Sequence, residues 1–224
     1  MDLNKFGTSN PYIWTKDHLL NVLTQGPAKV VNDPLIANAL KIIDRKDFVT
    51  EEFKDTAYID RPLPIGFNQT ISQPTVVAQM LQLLKPREGK KYLEIGSGSG
   101  YVTALLAFIT GDNGKVYALE RNQYLVDLAR KNLAHYPQLT ARIEMSFKDG
   151  SKGYPGRAPF DFIHCAASFE KIPNELKNQL TVGGRMVAPT QKNDIRVIER
   201  VSPTEFDERV HEGYIFVPIV EGTE

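Results

Sequence analysis

Residues 94–100, Glu94-Ile-Gly-Ser-Gly-Ser-Gly100, place three glycines at alternate positions, with an acid before them and the apolar run Tyr101-Val-Thr-Ala-Leu-Leu-Ala directly after. The apolar stretch Tyr92 to Ile95 precedes them, so the glycines fall in a strand-to-helix turn. Without Cβ atoms such a turn adopts positive φ and lets its backbone approach a ligand, while free N–H groups and the helix dipole favour negative charge. A carboxylate suits that cradle as well as a phosphate does. A dinucleotide fingerprint reads Gly-x-Gly-x-x-Gly, whereas this loop reads Gly-x-Gly-x-Gly with an acid two residues ahead, which makes NAD the runner-up ligand. Glu120 closes the next apolar run about 20 residues on, where a carboxylate can bridge two ribose hydroxyls.

The loop resembles motif I of class I methyltransferases, which implies S-adenosylmethionine as the cofactor. In that reading Glu94, Gly96, Ser97, Gly98, Ser99 and Gly100 form the cradle, Glu120 holds the ribose, and Asp149-Gly150 meets the adenine.

The elements that must hold these residues follow from hydrophobic periodicity. From Lys91 onward, short apolar runs alternate with helical patterns, as in crossover units that build a parallel sheet. Strands are expected at Tyr92–Ile95, Lys115–Leu119, Ala141–Met145, Phe160–Cys165 and Arg185–Pro189, with helices at 101–110, 122–135 and 174–180. Ile195–Val201 and Tyr214–Val220 are expected to pair as an antiparallel hairpin at the sheet edge. Ahead of this core, 17–25 and 34–43 carry helical spacing, with Asp33-Pro34 as cap and first residue. Residues 60–73 read as a structured loop that runs into a helix from Pro74 to Leu84, with Ser72 or Gln73 near its cap. The expected fold is therefore α/β: a doubly wound, mostly parallel, Rossmann-like sheet with N-terminal helices and an antiparallel C-terminal edge. Residues 1–73 form an N-terminal elaboration carrying an active-site loop, and 74–224 form the cofactor-binding core.

The chain has 224 residues, 42% of them hydrophobic and 24% charged, as expected of an ordinary globular domain. Its 27 Lys and Arg balance 27 Asp and Glu, which argues against a nonspecific partner such as nucleic acid or an anionic membrane. The N-terminus shows no basic region followed by an apolar core, and no apolar run approaches the roughly 20 residues of a bilayer span. A cytoplasmic monomer is expected. Cys165 is the single cysteine, and His18, His135 and His211 form no spaced ligand set, so no metal is expected. His164, Cys165 and Trp14 read as packing residues.

The segment Asp60-Arg-Pro-Leu-Pro-Ile-Gly-Phe-Asn-Gln-Thr-Ile-Ser-Gln-Pro74 closely resembles the N-terminal signature of protein-L-isoaspartate O-methyltransferases, at the distance from motif I which that family shows. Tyr92–Tyr101, Asp149-Gly-Ser-Lys-Gly-Tyr-Pro155, Gly183-Gly-Arg-Met-Val-Ala-Pro189 and Ile215-Phe-Val-Pro-Ile219 extend the resemblance over about residues 33–222. It implies methylation of the α-carboxylate of L-isoaspartyl residues in damaged proteins, a repair activity. A carboxylate with a pKa of about 3.5–4 is ionised at neutral pH and needs no general base, so the catalyst has only to align and desolvate it. By resemblance Ser72 is the active-site hydroxyl and binds the reacting carboxylate. Thr70 and Ile71 join the cofactor contacts, and Ala166, Ala167 and Ser168 the substrate contacts. From local sequence alone, Ser72 reads instead as a helix N-cap.

Two departures fall on the substrate side. The family usually has glycine where Asn68 stands, although asparagine tolerates the left-handed region. It commonly reads Thr-Ala-Ala-Ala-Pro after the fourth strand, where this chain has Ala166-Ala-Ser-Phe-Glu170, so that Phe169 and Glu170 are expected to narrow or recharge the peptide groove. A related methyltransferase with another acceptor, or a cofactor-binding module without turnover, are the alternatives.

Overall fold

A computed structural model describes residues 14–26 and 29–224, so part of the expected N-terminal elaboration, 1–13 and 27–28, lies outside the described residues. Two short helices come first, α1 (Lys16–Thr24) and α2 (Pro34–Ile42). Thr15 caps α1 by accepting from the His18 N–H, and the Asp33 carboxylate caps α2 by accepting from the Leu35 N–H at 2.9 Å. Two 3₁₀ turns, Arg45–Phe48 and Glu51–Thr56, lead into the segment that precedes the sheet.

That segment is more regular than its composition suggests. It forms a hairpin of β1 (Leu63–Gly66) and β2 (Gln69–Ile71), with Leu63 and Ile65 turned inward and Pro64 and Gly66 outward. Phe67 and Asn68 make its two-residue turn, both at positive φ (51° and 55°), the geometry that suits the twist of a hairpin. Asparagine accepts this readily; a phenylalanine there is strained. The Phe67 ring is held by Tyr124, with ring centroids 5.1 Å apart.

Helix α3 (Pro74–Leu84) follows, and its cap corrects the local expectation. Neither Ser72 nor Gln73 caps it with a side chain. Asp60 does so from a distance, accepting from the Thr75 N–H at 2.8 Å, the Thr75 hydroxyl at 2.6 Å and the Gln73 amide at 3.0 Å. The Ser72 hydroxyl is thereby released from capping.

The main sheet contains β3 (Lys91–Ile95), β4 (Lys115–Glu120), β5 (Ile143–Phe147), β6 (Phe160–Cys165), β7 (Leu180–Thr190), β8 (Asp194–Arg200) and β9 (Phe206–Glu212), in the order β5-β4-β3-β6-β7-β8-β9. The first five pair in parallel, while β7–β8 and β8–β9 are antiparallel. Helices α4 (Tyr101–Thr110) and α5 (Gln123–Leu133) connect β3, β4 and β5, and the short α6 (Asn174–Lys177) precedes β7. One buried cluster joins α1, α2, α3 and α4 to Tyr92, Val116 and Val187 of the sheet, so the N-terminal helices share the core of the sheet. A second, on the other face, gathers Leu93, Ile163, Leu176 and Met186.

Three expected boundaries move. Pro137 opens a 3₁₀ turn that takes up Ala141 and Arg142, and the third strand starts at Ile143, opposite Val116. The fifth strand runs through Gly183-Gly184 from Leu180, so the helix expected at 174–180 stops at Lys177. The partner of β8 is the charged segment Phe206–Glu212 rather than Tyr214–Val220. Exposed on both faces, β9 carries ion pairs from Glu208 to Lys177 and Arg196, which suits an edge strand.

Replacing Asp60 with alanine should cost about 1–2 kcal/mol of stability, the usual worth of an N-cap. Urea denaturation measures it, and Asp60→Asn should recover most of the loss; an unchanged midpoint in Asp60→Ala would remove Asp60 from the cap.

Candidate active site

The order of the strands reverses between β3 and β6, and the loops that leave their C-terminal ends diverge to open a crevice. Gly96, Gly98 and Gly100 all take positive φ in the loop after β3. Gly100 at +88° starts α4 so close to α5 that a Cβ would lie 3.2 Å from that of Ala129. The loop is pinned from β4: the N–H groups of Gly96 and Ser97 donate to Leu119 O, and that of Gly98 donates to the Glu120 carboxylate at 3.0 Å. Glu120 also accepts from the Asn122 N–H at 3.0 Å. Two bonds leave a carboxylate with spare lone pairs, and Glu120 faces the cleft. The Ser97 hydroxyl is buried in the same loop without a partner among the described residues.

Glu94 lies beneath this loop, fully buried, and accepts a hydrogen bond from the Thr103 hydroxyl. Burial, reinforced by the nearby Glu120, pushes its pKa up to about 8, so it is protonated at neutral pH.

The main cleft has a volume of about 370 Å³. Its floor is Gly96, Gly98 and Glu120, one wall is Ala166 and Ala167 after β6, and the other is the hairpin segment with Gln69, Thr70, Ser72 and Gln73. Ile71, Ser72, Glu94, Ser97 and Ser99 line a smaller recess beneath it. Sequence-predicted residues from four separate segments thus converge. Asp149 and Gly150 line an adjoining recess of about 70 Å³ with Leu119 and Asn122. At Gly150 a Cβ would come within 2.8 Å of Ile95, so this close approach requires glycine.

Ser168 stands apart from the cleft. It is buried, with its hydroxyl 3.2 Å from the carbonyl oxygens of Phe216 and Val217, and its backbone binds Val217 and Ile219. The expected narrowing by Phe169 does not occur either: it is buried in the second core cluster, paired through its backbone with Pro189 and Gln191, and Glu170 is exposed.

The roof over the crevice was not legible in the sequence. Residues 214–220, expected as a strand, cross the C-terminal ends of the sheet as an irregular strap, and Ile215, Phe216 and Val217 line the cleft. Asp149 holds the strap's continuation by accepting from the Gly222 N–H at 2.8 Å, and Arg121 donates to Gly222 O at 2.8 Å. An apolar segment after a charged edge strand gives no periodic signal of such a path.

His164 and Cys165 are fully buried at the end of β6; burial alone lowers the histidine pKa to about 4 and raises that of the thiol, so both are neutral. Among the described residues no three His, Cys, Asp or Glu side chains form a metal site, and no helix is long and apolar enough to cross a membrane.

A family model described as protein-L-isoaspartate(D-aspartate) O-methyltransferase matches residues 15–224. The protein-L-isoaspartate O-methyltransferase of Methanothrix thermoacetophila is 44% identical over 189 residues, which cover 83% of this chain and 87% of that one. Its counterpart in Methanopyrus kandleri is 40% identical over 190 residues, 83% of each chain. In fold, the chain resembles a Plasmodium falciparum structure described under the same enzyme name and solved with S-adenosyl-L-homocysteine, with a TM-score of 0.79 at 24% identity over 92% of this chain and 97% of that one.

The buried Glu94 carboxyl makes stability fall with alkalinity. Its pKa rises from 4.5 in the unfolded chain to about 8 in the fold, so the native state binds the extra proton between those values. Its contribution is therefore lost as pH rises from 4.5 to about 8 and levels off above, opposed below 6.5 by the buried neutral His164, whose lowered pKa adds stability as pH rises from about 4. In urea denaturation across this range Glu94→Gln should remove the downward component, leaving the profile less steeply falling than the wild type at every pH between 4.5 and about 8; a variant with the wild-type slope would contradict it.

Proposed function

The chain belongs to the protein-L-isoaspartate(D-aspartate) O-methyltransferase family, and from that premise we propose that it methylates the α-carboxylate of L-isoaspartyl residues in damaged proteins, with S-adenosylmethionine as donor. The observation that carries this reading is the make-up of the main cleft, where Glu120 is the charged side chain and the remaining lining residues are small, apolar, amide or hydroxyl groups. Such a cleft suits a nucleophile that arrives already ionised and needs no base.

The residues present fit the donor. The glycine turn offers backbone approach, Glu120 offers unused acceptor positions toward ribose hydroxyls, the orphaned Ser97 hydroxyl lies within the loop, and Asp149-Gly150 borders the recess for a purine. When bound, S-adenosylmethionine supplies a methyl group on a positively charged sulfur, which a carboxylate oxygen can displace with no proton transfer. Thr70 and Ile71 border the donor side, and Ala166 and Ala167 leave room for the acceptor backbone.

Ser72, free of capping duty, donates its hydroxyl proton in a hydrogen bond to the acceptor carboxylate and orients one oxygen for attack. Ile65, Val76 and Phe216 exclude water, which removes hydration from the nucleophile. The resulting methyl ester is then attacked by the following backbone nitrogen and loses methanol, forming a succinimide whose hydrolysis returns some normal aspartate. Damaged proteins are the partners in this reading, and the chain acts as a cytoplasmic monomer; the lone, buried Cys165 suits a reducing compartment.

With donor labelled in its methyl group, an isoaspartyl peptide should acquire base-labile label and its aspartyl twin should not. Label on neither peptide would overturn the assignment and leave a binding module. Ser72→Ala should lower kcat about 10- to 100-fold, the worth of a hydrogen bond to a charged group, while calorimetry shows S-adenosylhomocysteine affinity nearly unchanged. Glu120→Gln should do the converse, weakening that affinity about 10-fold or more.

A further inference from the structure

Arg45 is 2% exposed, yet no carboxylate pairs with it among the described residues. Its guanidinium instead donates to three backbone carbonyls: Nε to Ala57 O at 2.9 Å, Nη1 to Ser72 O at 2.8 Å and Nη2 to Arg61 O at 3.3 Å. All three acceptors lie on the segment that carries Ser72. On its other side the guanidinium sits 5.7 Å from the ring centroid of Tyr101, the first residue of α4 after the glycine loop.

Burying a charge without a counter-ion is costly, and apolar side chains of similar volume commonly stabilise as well or better. The cost shows in the Arg45 pKa, which burial lowers to about 10 against the opposing influence of Tyr101 and Asp60, leaving the group charged at neutral pH. What an apolar residue cannot supply is a planar fork that fixes three carbonyls in direction as well as distance.

We infer that Arg45 is a positioning residue for methyl transfer: by gripping Ser72 O while packed on Tyr101, it sets the height of the Ser72 hydroxyl over the glycine loop. This rests on the reading of Ser72 as the group that binds the acceptor carboxylate. A small displacement of such a hydroxyl lowers turnover far more than it lowers binding.

A double-mutant cycle separates this from a role in the fold alone. Arg45→Lys keeps the charge but cannot fork to three carbonyls. In the otherwise native chain it should lower kcat for the isoaspartyl peptide about 10-fold, with KM and S-adenosylhomocysteine affinity changed less than about 3-fold. In a Ser72→Ala background the same change should lower kcat less than about 2-fold, because the hydroxyl it positions is gone. Equal losses in both backgrounds would overturn the inference, whereas a Ser72→Ala chain as active as the wild type would overturn the reading of Ser72 itself. If Arg45→Lys does not fold, Arg45→Gln carries the same cycle, and a chain that unfolds with either replacement assigns Arg45 to the fold and overturns the inference.

Discussion

The parallel pairing of β3 with β4 on one side and β6 on the other is the constraint from which the site follows. In-register parallel strands end on the same edge, so the chain leaves Ile95, Glu120 and Cys165 side by side. The glycine turn, the Glu120 carboxylate and the Ala166-Ala167 wall are therefore neighbours before any side chain chooses a rotamer. Gly98 donating to Glu120 is the local expression of that pairing, since it ties the cradle of one strand to the acid of the next. A parallel sheet needs long crossovers, and α4 and α5 supply them on the face where α1, α2 and α3 also pack.

Everything else in the site is brought to this edge from outside the sheet. The hairpin arrives from the N-terminal side, its strained tip Phe67 docked on Tyr124, and the strap arrives from beyond β9, held by Ser168, Asp149 and Arg121. Two ionisable groups lie under these attachments, Glu94 beneath the loop and Arg45 beneath Ser72. Both depart from the rule that buried charge is paired, and each does so differently: Glu94 is neutral, whereas Arg45 stays charged and spends its donors on carbonyls. Arg45 fixes three backbone carbonyls of the segment before α3, and Glu94 ties β3 to α4 through the Thr103 hydroxyl.

The legible part of the chain was the part with a period. Strands β3, β4 and β6 and helices α2, α3 and α4 were readable because their apolar spacing, caps and glycines agree with each other. Where signals conflicted, the reading slipped. Gly183-Gly184, just ahead of the strand expected at Arg185–Pro189, is carried inside β7, and Pro137 opens a 3₁₀ turn ahead of β5. The charged alternation of Phe206–Glu212 was passed over for the apolar 214–220, because hydrophobicity is a poor guide to an edge strand exposed on both faces.

Donor and acceptor sides differ in legibility for the same physical reason. The glycine loop is built from consecutive residues whose spacing encodes a backbone shape, so its positive-φ turn at Gly96, Gly98 and Gly100 was readable from sequence. The acceptor side is built from long-range bonds: Asp60 caps α3 and frees Ser72, Arg45 grips the Ser72 carbonyl, and Ser168 turns away to hold the strap while Phe169 turns into the core. The locally reasonable roles of Ser72 as an N-cap and of Ser168 and Phe169 as groove residues were displaced by partners at least twelve residues distant in the chain. Two of the departures from the family signature are accommodated by the backbone and the core. Asn68 keeps a left-handed turn, and Phe169 packs in the second core cluster rather than lining the cleft.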